Sequence, residues 1–197
     1  MIELARVTKS FGGRPVLDGL SFSLRDPGVT VLMGPNGSGK TTAMKLILGL
    51  LHPDSGRIEG TAGRSLSAVF QEDRLVEHVT AVANVRLVLE PRVANGTIEA
   101  ELTRAGLAPQ ELDRAASTLS GGQRRRVAVV RAMMADADVV CLDEPFEGLD
   151  AGSKESLMRY VRERTLGKSV LLITHDASEA AWFGGTSVRL GGEEGKG

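Results

Sequence analysis

Residues 34–42 have the composition of a loop that binds phosphate. Three glycines, one lysine and three hydroxyl side chains stand together in the run Gly34, Pro35, Asn36, Gly37, Ser38, Gly39, Lys40, Thr41 and Thr42. Glycines allow a tight turn whose N–H groups face phosphate oxygens, while Lys40 can reach the β and γ phosphates and the Thr41 hydroxyl can ligate Mg²⁺. A glycine-rich turn with an incidental lysine is the alternative. The pattern favours a nucleotide phosphate site and leaves kinases, GTPases, helicases and transport ATPases open.

Two adjacent carboxylates, Asp143 and Glu144, follow the apolar run at residues 139–142. Because ligands bind at the carboxyl ends of the strands in open α/β sheets, Asp143 is suited to the Mg²⁺ shell. Glu144 is then suited to polarise an attacking water as general base. A solvated turn or a helix cap is the alternative for such a pair, but the apolar run before it and the upstream phosphate loop favour the catalytic interpretation.

His175 comes after another apolar run, residues 170–174. A neutral imidazole at the end of a strand can bond the γ phosphate and the base. A single histidine is more often an ordinary surface or core residue. His175 therefore becomes a candidate only together with the other groups.

A second anion site is predicted by the run Leu119, Ser120, Gly121, Gly122 and Gln123. Ser120 can cap a helix that begins near Gly121, and the glycine N–H groups and the helix dipole can then face a phosphate. An ordinary serine-capped helix is the alternative. It explains Ser120 but not the whole string.

Apolar runs predict the strands and helices that position these groups. The strands of a parallel sheet covered on both faces are predicted at residues 29–33, 67–70, 139–142 and 170–174. Helical patterns lie between them at residues 42–50, 123–135 and 153–164.

Two further groups of segments complete the predicted fold. Short alternating strands of an antiparallel sheet are predicted at residues 2–7, 20–24 and 57–59. Two inserted helices are predicted at residues 80–90 and 98–105. The fold class is therefore α/β, with a P-loop NTPase core built on a mainly parallel sheet, an N-terminal antiparallel β subdomain and a short inserted α-helical subdomain.

Composition limits the partners and the cellular location that can be expected of the protein. The 197 residues include 24 Lys and Arg against 25 Asp and Glu, so no net positive charge favours nucleic acid. The apolar runs are far shorter than the roughly 20 residues that cross a bilayer. Cys141 is the only cysteine, which argues against a disulfide framework. With no apparent leader at the start, a cytosolic location is expected, and the glycine-rich end at residues 191–197 is expected to fray.

Together these motifs resemble the ATPases of the ABC family, whose characteristic pentapeptide is the run at residues 119–123. The resemblance implies a single ABC ATPase domain over residues 1–197. Its core is expected at residues 1–71 and 136–197, and its helical subdomain, with the pentapeptide, at about residues 72–135. It also implies ATP and Mg²⁺ as cofactors, bound or acted on by the residues above.

Three more residues take roles from this resemblance. Phe11 resembles the aromatic residue that stacks on adenine, the alternative being a core residue of an edge strand. Gln71 resembles a catalytic loop glutamine that joins Thr41 and Asp143 at Mg²⁺ and links the core to the helical subdomain. Asp150 resembles the residue of a loop that crosses to the nucleotide of a partner chain.

The sequence departs from the family pattern in two places. Glu147 and Gly148 stand where a small Ser-Ala pair is frequent. Residues 124–126, three arginines in succession, are more basic than usual, although positive charge at a helix start opposes the dipole. Phosphate nearby and acidic neighbours both remain open as explanations.

The resemblance also implies partners, because in this family the phosphate loop of one chain meets the pentapeptide of another. We expect a head-to-tail homodimer or a paired ATPase subunit. Residues 72–80 would receive transmembrane permease subunits at the cytoplasmic face of the cell membrane. Residues 71–75 most resemble importers of nitrate, sulfonate and taurine, so import of a small anion is expected, with a solute-binding protein as a further partner and no nucleic acid.

Two alternatives to the transporter interpretation exist. A soluble ABC ATPase acting on DNA or ribosomes usually carries long coiled coils or two ATPase domains, and neither pattern is present. A degenerate subunit that only binds nucleotide is disfavoured by the presence of Lys40, Asp143, Glu144 and His175.

Overall fold

A computed structural model describes residues 1–191; the predicted fraying of the end falls largely on residues 192–197, which lie outside the described residues. The described chain forms eight strands and six α-helices. In order they are β1 (Ile2–Phe11), β2 (Arg14–Leu24), β3 (Gly28–Met33), α1 (Lys40–Ile47), β4 (Ser55–Glu59), β5 (Leu66–Val69), α2 (Ala81–Arg86), α3 (Asn95–Arg104), α4 (Gly121–Met134), β6 (Val139–Asp143), α5 (Ala151–Arg164), β7 (Ser169–Ile173), α6 (Ala177–Phe183) and β8 (Thr186–Arg189).

The chain divides into two compact units. The first contains Met1–Leu66, Asp138–Asp143 and the described residues from Gly167 to Gly191, and the second contains Ser67–Ala137 and Glu144–Leu166. The helical segment predicted at residues 72–135 lies in the second unit, which also includes α5.

A parallel sheet forms the core of the α/β fold, as predicted. Its five strands have the order β5-β6-β7-β3-β8. Strand β7 pairs in parallel with β3 and β6, and β3 pairs in parallel with β8. All five residues of β6 and all five of β7 are buried. Full burial explains why these two strands read as unbroken apolar runs.

An antiparallel sheet of three strands, β2-β1-β4, lies in the first unit and confirms the predicted antiparallel part. Its strands are longer than the sequence pattern predicted, since β1 runs to Phe11 and β2 begins at Arg14. Register shifts interrupt the pairing of β1 with β2 between Leu4 and Ser10. Such irregularities break the alternation of inward and outward side chains, so the pattern does not show the full length of the strands.

Helices α1 and α2 end well before their predicted limits at residues 50 and 90. Helix α1 stops at Ile47 because Gly49 adopts a left-handed φ of 69°, a common way to end a helix. Helix α2 stops at Arg86; Pro91 disfavours helical backbone at Glu90, which excludes the predicted helix end at residue 90.

The second unit contains the four helices α2 to α5. Its buried apolar side chains include Val85 of α2, Leu102 of α3, Val127 of α4 and Leu157 of α5. Among the described residues of the chain, none of the helices combines the length and the apolar character that crossing a bilayer requires.

Candidate functional site

The glycine-rich loop of residues 34–39 connects a buried strand to a helix, as the pattern predicted. Strand β3 ends at Met33 and α1 begins at Lys40, with Gly39 as its N-cap at φ 94°. The first N–H groups of a helix have no partner within the helix, and the dipole makes this end positive. The strand, loop and helix therefore provide the backbone of an anion site.

Lys40 is held inside this loop by the loop's own main chain. Its ammonium Nζ donates hydrogen bonds to the carbonyl oxygens of Gly34 at 2.7 Å and Pro35 at 2.9 Å. The residue is only 8% exposed. This contact places the Lys40 ammonium beside the N–H groups of the loop, where both can attract a phosphate.

Two glycines of the loop sit where no side chain fits. A Cβ on Gly39 would lie 2.5 Å from Leu17 Cδ2 and 2.9 Å from the carbonyl oxygen of Val16. A Cβ on Gly34 would lie 2.5 Å from the carbonyl oxygen of Leu190. Ser38 Oγ is buried and has no hydrogen-bond partner among the protein atoms. A buried hydroxyl without a protein partner in a glycine cradle fits a bound phosphate.

Replacing Gly39 with Ala is expected to lower both thermal stability and ATP affinity. The left-handed φ costs a residue with a Cβ about 1–2 kcal/mol, and the clash with Val16 adds an overpacking cost of about 1–3 kcal/mol. Gly49→Ala is the matched control, because Gly49 also has a positive φ but nothing within 4 Å of its added Cβ. Thermal unfolding and binding of a fluorescent ATP analogue measure both effects. Equal losses in the two variants would contradict a close-packed cradle.

A hydroxyl and a carboxylate meet at the start of α1. Thr41 Oγ1 donates to Asp143 Oδ2 at 2.6 Å, and Asp143 is buried at the end of β6. Oxygen ligands of this kind suit Mg²⁺, which takes one or two protein oxygens and completes its shell with phosphate and water. No cluster of three or more His, Cys, Asp or Glu side chains that could hold a metal occurs in the described residues. The pair thus fits a metal shared with phosphate.

Phe11 and His175 also lie in the first unit. Phe11 ends β1 with 46% of its surface exposed, so it is not the core residue that the alternative required, and Lys9 Nζ lies 5.7 Å from its ring centroid. His175 is exposed, two residues beyond β7. Its turn is braced by the buried Thr174 hydroxyl, which donates to Glu179 at 2.6 Å.

The pentapeptide begins α4 in the second unit with a full capping box. Ser120 Oγ accepts from the Gln123 N–H at 3.3 Å, and the Gln123 side chain accepts from the Ser120 N–H at 2.7 Å. The Gln123 amide also donates to Glu111. A Cβ on Gly122 would lie 3.1 Å from Leu149. Ser120 and Gly121 are exposed, so the helix start is accessible from solvent, which the predicted second anion site requires.

The remaining predicted residues lie in two loops of this unit, one after β5 and one between β6 and α5. Glu144 is buried and has a left-handed φ of 48°. Gln71 is exposed, and its amide donates to Glu147 at 3.4 Å. Asp150 caps α5 by accepting from the Ser153 N–H at 3.0 Å, and its hydrogen bonds with Ser153 lower the pKa of the Asp150 carboxyl.

Comparison with known proteins identifies the family in which these motifs occur together. The sequence model of the family described as "ABC transporter" matches residues 17–147, which include both glycine-rich runs and the two adjacent carboxylates. The chain belongs to the ABC transporter family. The predicted resemblance to ABC ATPases is thereby confirmed.

Relatives within the ABC family carry import names. An "Fe(3+) ions import ATP-binding protein" of Rhodococcus jostii (strain RHA1) is 38% identical over 93% of this chain and 58% of its own length. An "Aliphatic sulfonates import ATP-binding protein" of Pseudomonas syringae pv. syringae (strain B728a) is 38% identical over 91% of this chain and 65% of its own length. The chain therefore spans about three fifths of the length of these relatives.

Solved structures agree with the fold. A dimeric ATP-binding cassette in a post-hydrolysis state, bound to ADP and Pi, has a TM-score of 0.86 and 27% identity. The match covers 96% of this chain and 94% of that chain. The α/β fold of this ABC family member is therefore shared with an ATP-binding cassette.

The three unusual arginines of this ABC chain have protein partners. Arg124 lies 3.7 Å from Asp73, and Arg125 lies 3.3 Å from the same carboxylate. Arg126 donates to the hydroxyl of Ser153. Of the two explanations left open by the sequence, the acidic neighbour therefore accounts for Arg124 and Arg125.

Sequence reasoning missed the residues that hold the site's turns in this ABC chain, chiefly Arg125, Thr174 and Glu179. Their burial and partners depend on contacts with other segments. The only signal in the sequence was the unfavourable charge of Arg125 at the start of a helix. Cys141 has no role in thiol chemistry, because burial raises its pKa to about 12 and keeps the thiol protonated.

Proposed function

We propose that this chain is the ATP-binding and ATP-hydrolysing subunit of an ABC importer, which moves a small anion through separate membrane subunits. The observation that carries the ATPase proposal is the Thr41 hydroxyl bonded to Asp143 at 2.6 Å, directly after a glycine cradle that contains a buried lysine. This arrangement joins a phosphate site to a metal-binding pair. A phosphate site alone would serve many nucleotide-binding proteins.

The residues at the phosphates would bind the nucleotide and the metal, and one of them would act as general base. Lys40 and the loop N–H groups would hold the β and γ phosphates through charge and hydrogen bonds. Thr41, Asp143 and Gln71 would hold Mg²⁺, which when bound neutralises charge on the phosphate oxygens. Glu144 would accept a proton from the attacking water, and His175 would bond the γ phosphate. Phe11 would stack on adenine, for which its exposed ring is suited.

The second anion site would act on the nucleotide of a partner chain. Ser120 to Gln123 form an open, capped helix start, and Asp150 begins the next helix in the same unit. We infer a head-to-tail pair in which these residues complete the site of the other subunit. Support comes from two similar solved cassettes, both described as dimeric. The chain would form one ATPase domain whose helical part is centred on residues 72–135.

Import is proposed from the names of the relatives. These include import proteins for Fe(3+) ions, aliphatic sulfonates and sulfate/thiosulfate. The permease would be a membrane-spanning partner, a solute-binding protein would deliver the anion, and this chain would work at the cytoplasmic face of the membrane. Its formal net charge of −1 favours no nucleic acid partner.

Co-expression with a candidate permease tests this function. We expect the chain to co-purify with the multi-spanning protein, and ATP hydrolysis in vesicles to depend on both the permease and Mg²⁺. The variant Lys40→Ala serves as the control that lacks the phosphate contact. ATP hydrolysis stimulated by DNA or ribosomes, without any membrane partner, would contradict the import proposal and favour the soluble alternative.

A further inference from the structure

The segment that carries Gln71 is held by arginines of α4. Arg125 is buried, and its guanidinium donates to the carbonyl oxygen of Phe70 at 2.7 Å and to that of Gln71. The same guanidinium lies 3.3 Å from Asp73. One side chain of α4 therefore binds the main-chain carbonyl groups on both sides of the Gln71 Cα.

A second arginine, two turns along α4, holds the next part of this segment. Arg131 donates to the carbonyl oxygens of Arg74 at 2.9 Å and Asp73 at 3.1 Å. Arg74 has a left-handed φ of 47°, and its guanidinium stacks 3.7 Å from the ring centroid of Phe70. Four of the five carbonyl groups from Phe70 to Arg74 thus accept hydrogen bonds from arginine side chains of α4.

The segment needs such support because it lies outside regular structure. Strand β5 ends at Val69 and α2 begins at Ala81, so these described residues between them belong to neither element. Carbonyl groups in such a segment must find partners elsewhere. Arg125 supplies them with a planar fork of donors, which lysine cannot reproduce because its ammonium is a single point charge.

We propose that Arg125 is a positioning residue that fixes the main chain at Gln71 to the start of α4. This helix begins inside the pentapeptide, at Gly121, and the last residue of the pentapeptide, Gln123, is two residues before Arg125. The pentapeptide and the Gln71 turn then move as one piece, and the Gln71 side chain is delivered in a defined position. The catalytic consequence rests on the proposed function, in which Gln71 contributes to binding Mg²⁺.

The test compares Arg125→Met and Arg125→Lys with the control Arg124→Gln in the full chain. Arg124 stands next to Arg125 and pairs with the same Asp73, but its side chain is 42% exposed. Amide hydrogen exchange over residues 70–74 should accelerate at least about tenfold in Arg125→Met, because the variant loses two charge-assisted hydrogen bonds and the loss of either one would have about that effect. Arg125→Lys should fall between Arg125→Met and the parent, and Arg124→Gln should match the parent.

Kinetics separate positioning from stability alone. At a temperature where all variants are folded, Arg125→Met should lower kcat about tenfold and raise the Mg²⁺ concentration for half-maximal activity, while the Mg²⁺-free affinity for ATP stays unchanged. If exchange over residues 70–74 in Arg125→Met matched that of the parent, Arg125 would not hold this segment. Faster exchange with parental kcat and Mg²⁺ dependence would overturn the positioning role. A parent protein without ATPase activity would defeat the proposed function instead, and the exchange measurement would still decide whether Arg125 holds the segment.

Discussion

Replacing Glu144 with Gln is expected to abolish turnover while ATP binding persists. Gln has the shape of Glu but cannot accept a proton from water, and a general base contributes about 10²–10⁴-fold to a rate. Glu144 directly follows Asp143, which bonds the Thr41 hydroxyl. We therefore expect kcat to fall by about that factor. In the proposed head-to-tail pair, the ATP-bound form of the variant should accumulate, because hydrolysis is the step proposed to reopen the pair.

The measurement combines single-turnover hydrolysis with light scattering in the presence of Mg²⁺ and ATP. Glu147→Gln is the matched control, since Glu147 belongs to the same loop and a Gln oxygen can still accept from the Gln71 amide, as Glu147 does. The control should keep the parental rate and should not accumulate the pair. Hydrolysis by Glu144→Gln at the parental rate would remove Glu144 from the role of base.

The left-handed backbone of Glu144 could not be predicted from the sequence. Its φ of 48° is uncommon for a residue with a side chain. Nothing in the sequence of neighbouring residues requires this conformation. The sequence did predict that Glu144 lies directly after a buried strand, because the apolar run of β6 ends just before the two carboxylates.

The fold was predictable wherever burial alone determines the pattern. Strands β6 and β7 are buried throughout, so their residues are apolar except for Asp143 at the end of β6 and Ser169 at the start of β7. Their limits agreed with the prediction to within one residue. The short elements α6 and β8 gave no usable pattern, because only a few of their residues face the core. The contacts of Arg125 could not be predicted either, because its partners Phe70 and Gln71 are distant in sequence.

Replacing Lys40 with Ala is expected to remove most of the ATP affinity. A hydrogen bond to a charged group contributes about 1.5–3 kcal/mol, which corresponds to a loss of roughly 10- to 150-fold in Kd. Lys40 is buried, and within residues 1–191 its ammonium bonds to the carbonyls of Gly34 and Pro35. Those carbonyls also lose their donor in the variant, so the loop should lose order as well as charge.

The control for this effect is Lys45→Ala, which removes the same charge from the last turn of the same helix, α1. Binding of a fluorescent ATP analogue, measured without Mg²⁺, should weaken in Lys40→Ala and stay within about twofold of the parent in Lys45→Ala, because water and salt screen a charge outside the loop. If both variants weakened equally, the loss would reflect the overall positive charge of α1. Unchanged binding by Lys40→Ala would contradict the phosphate cradle itself, because the loop would then hold phosphate without its buried ammonium.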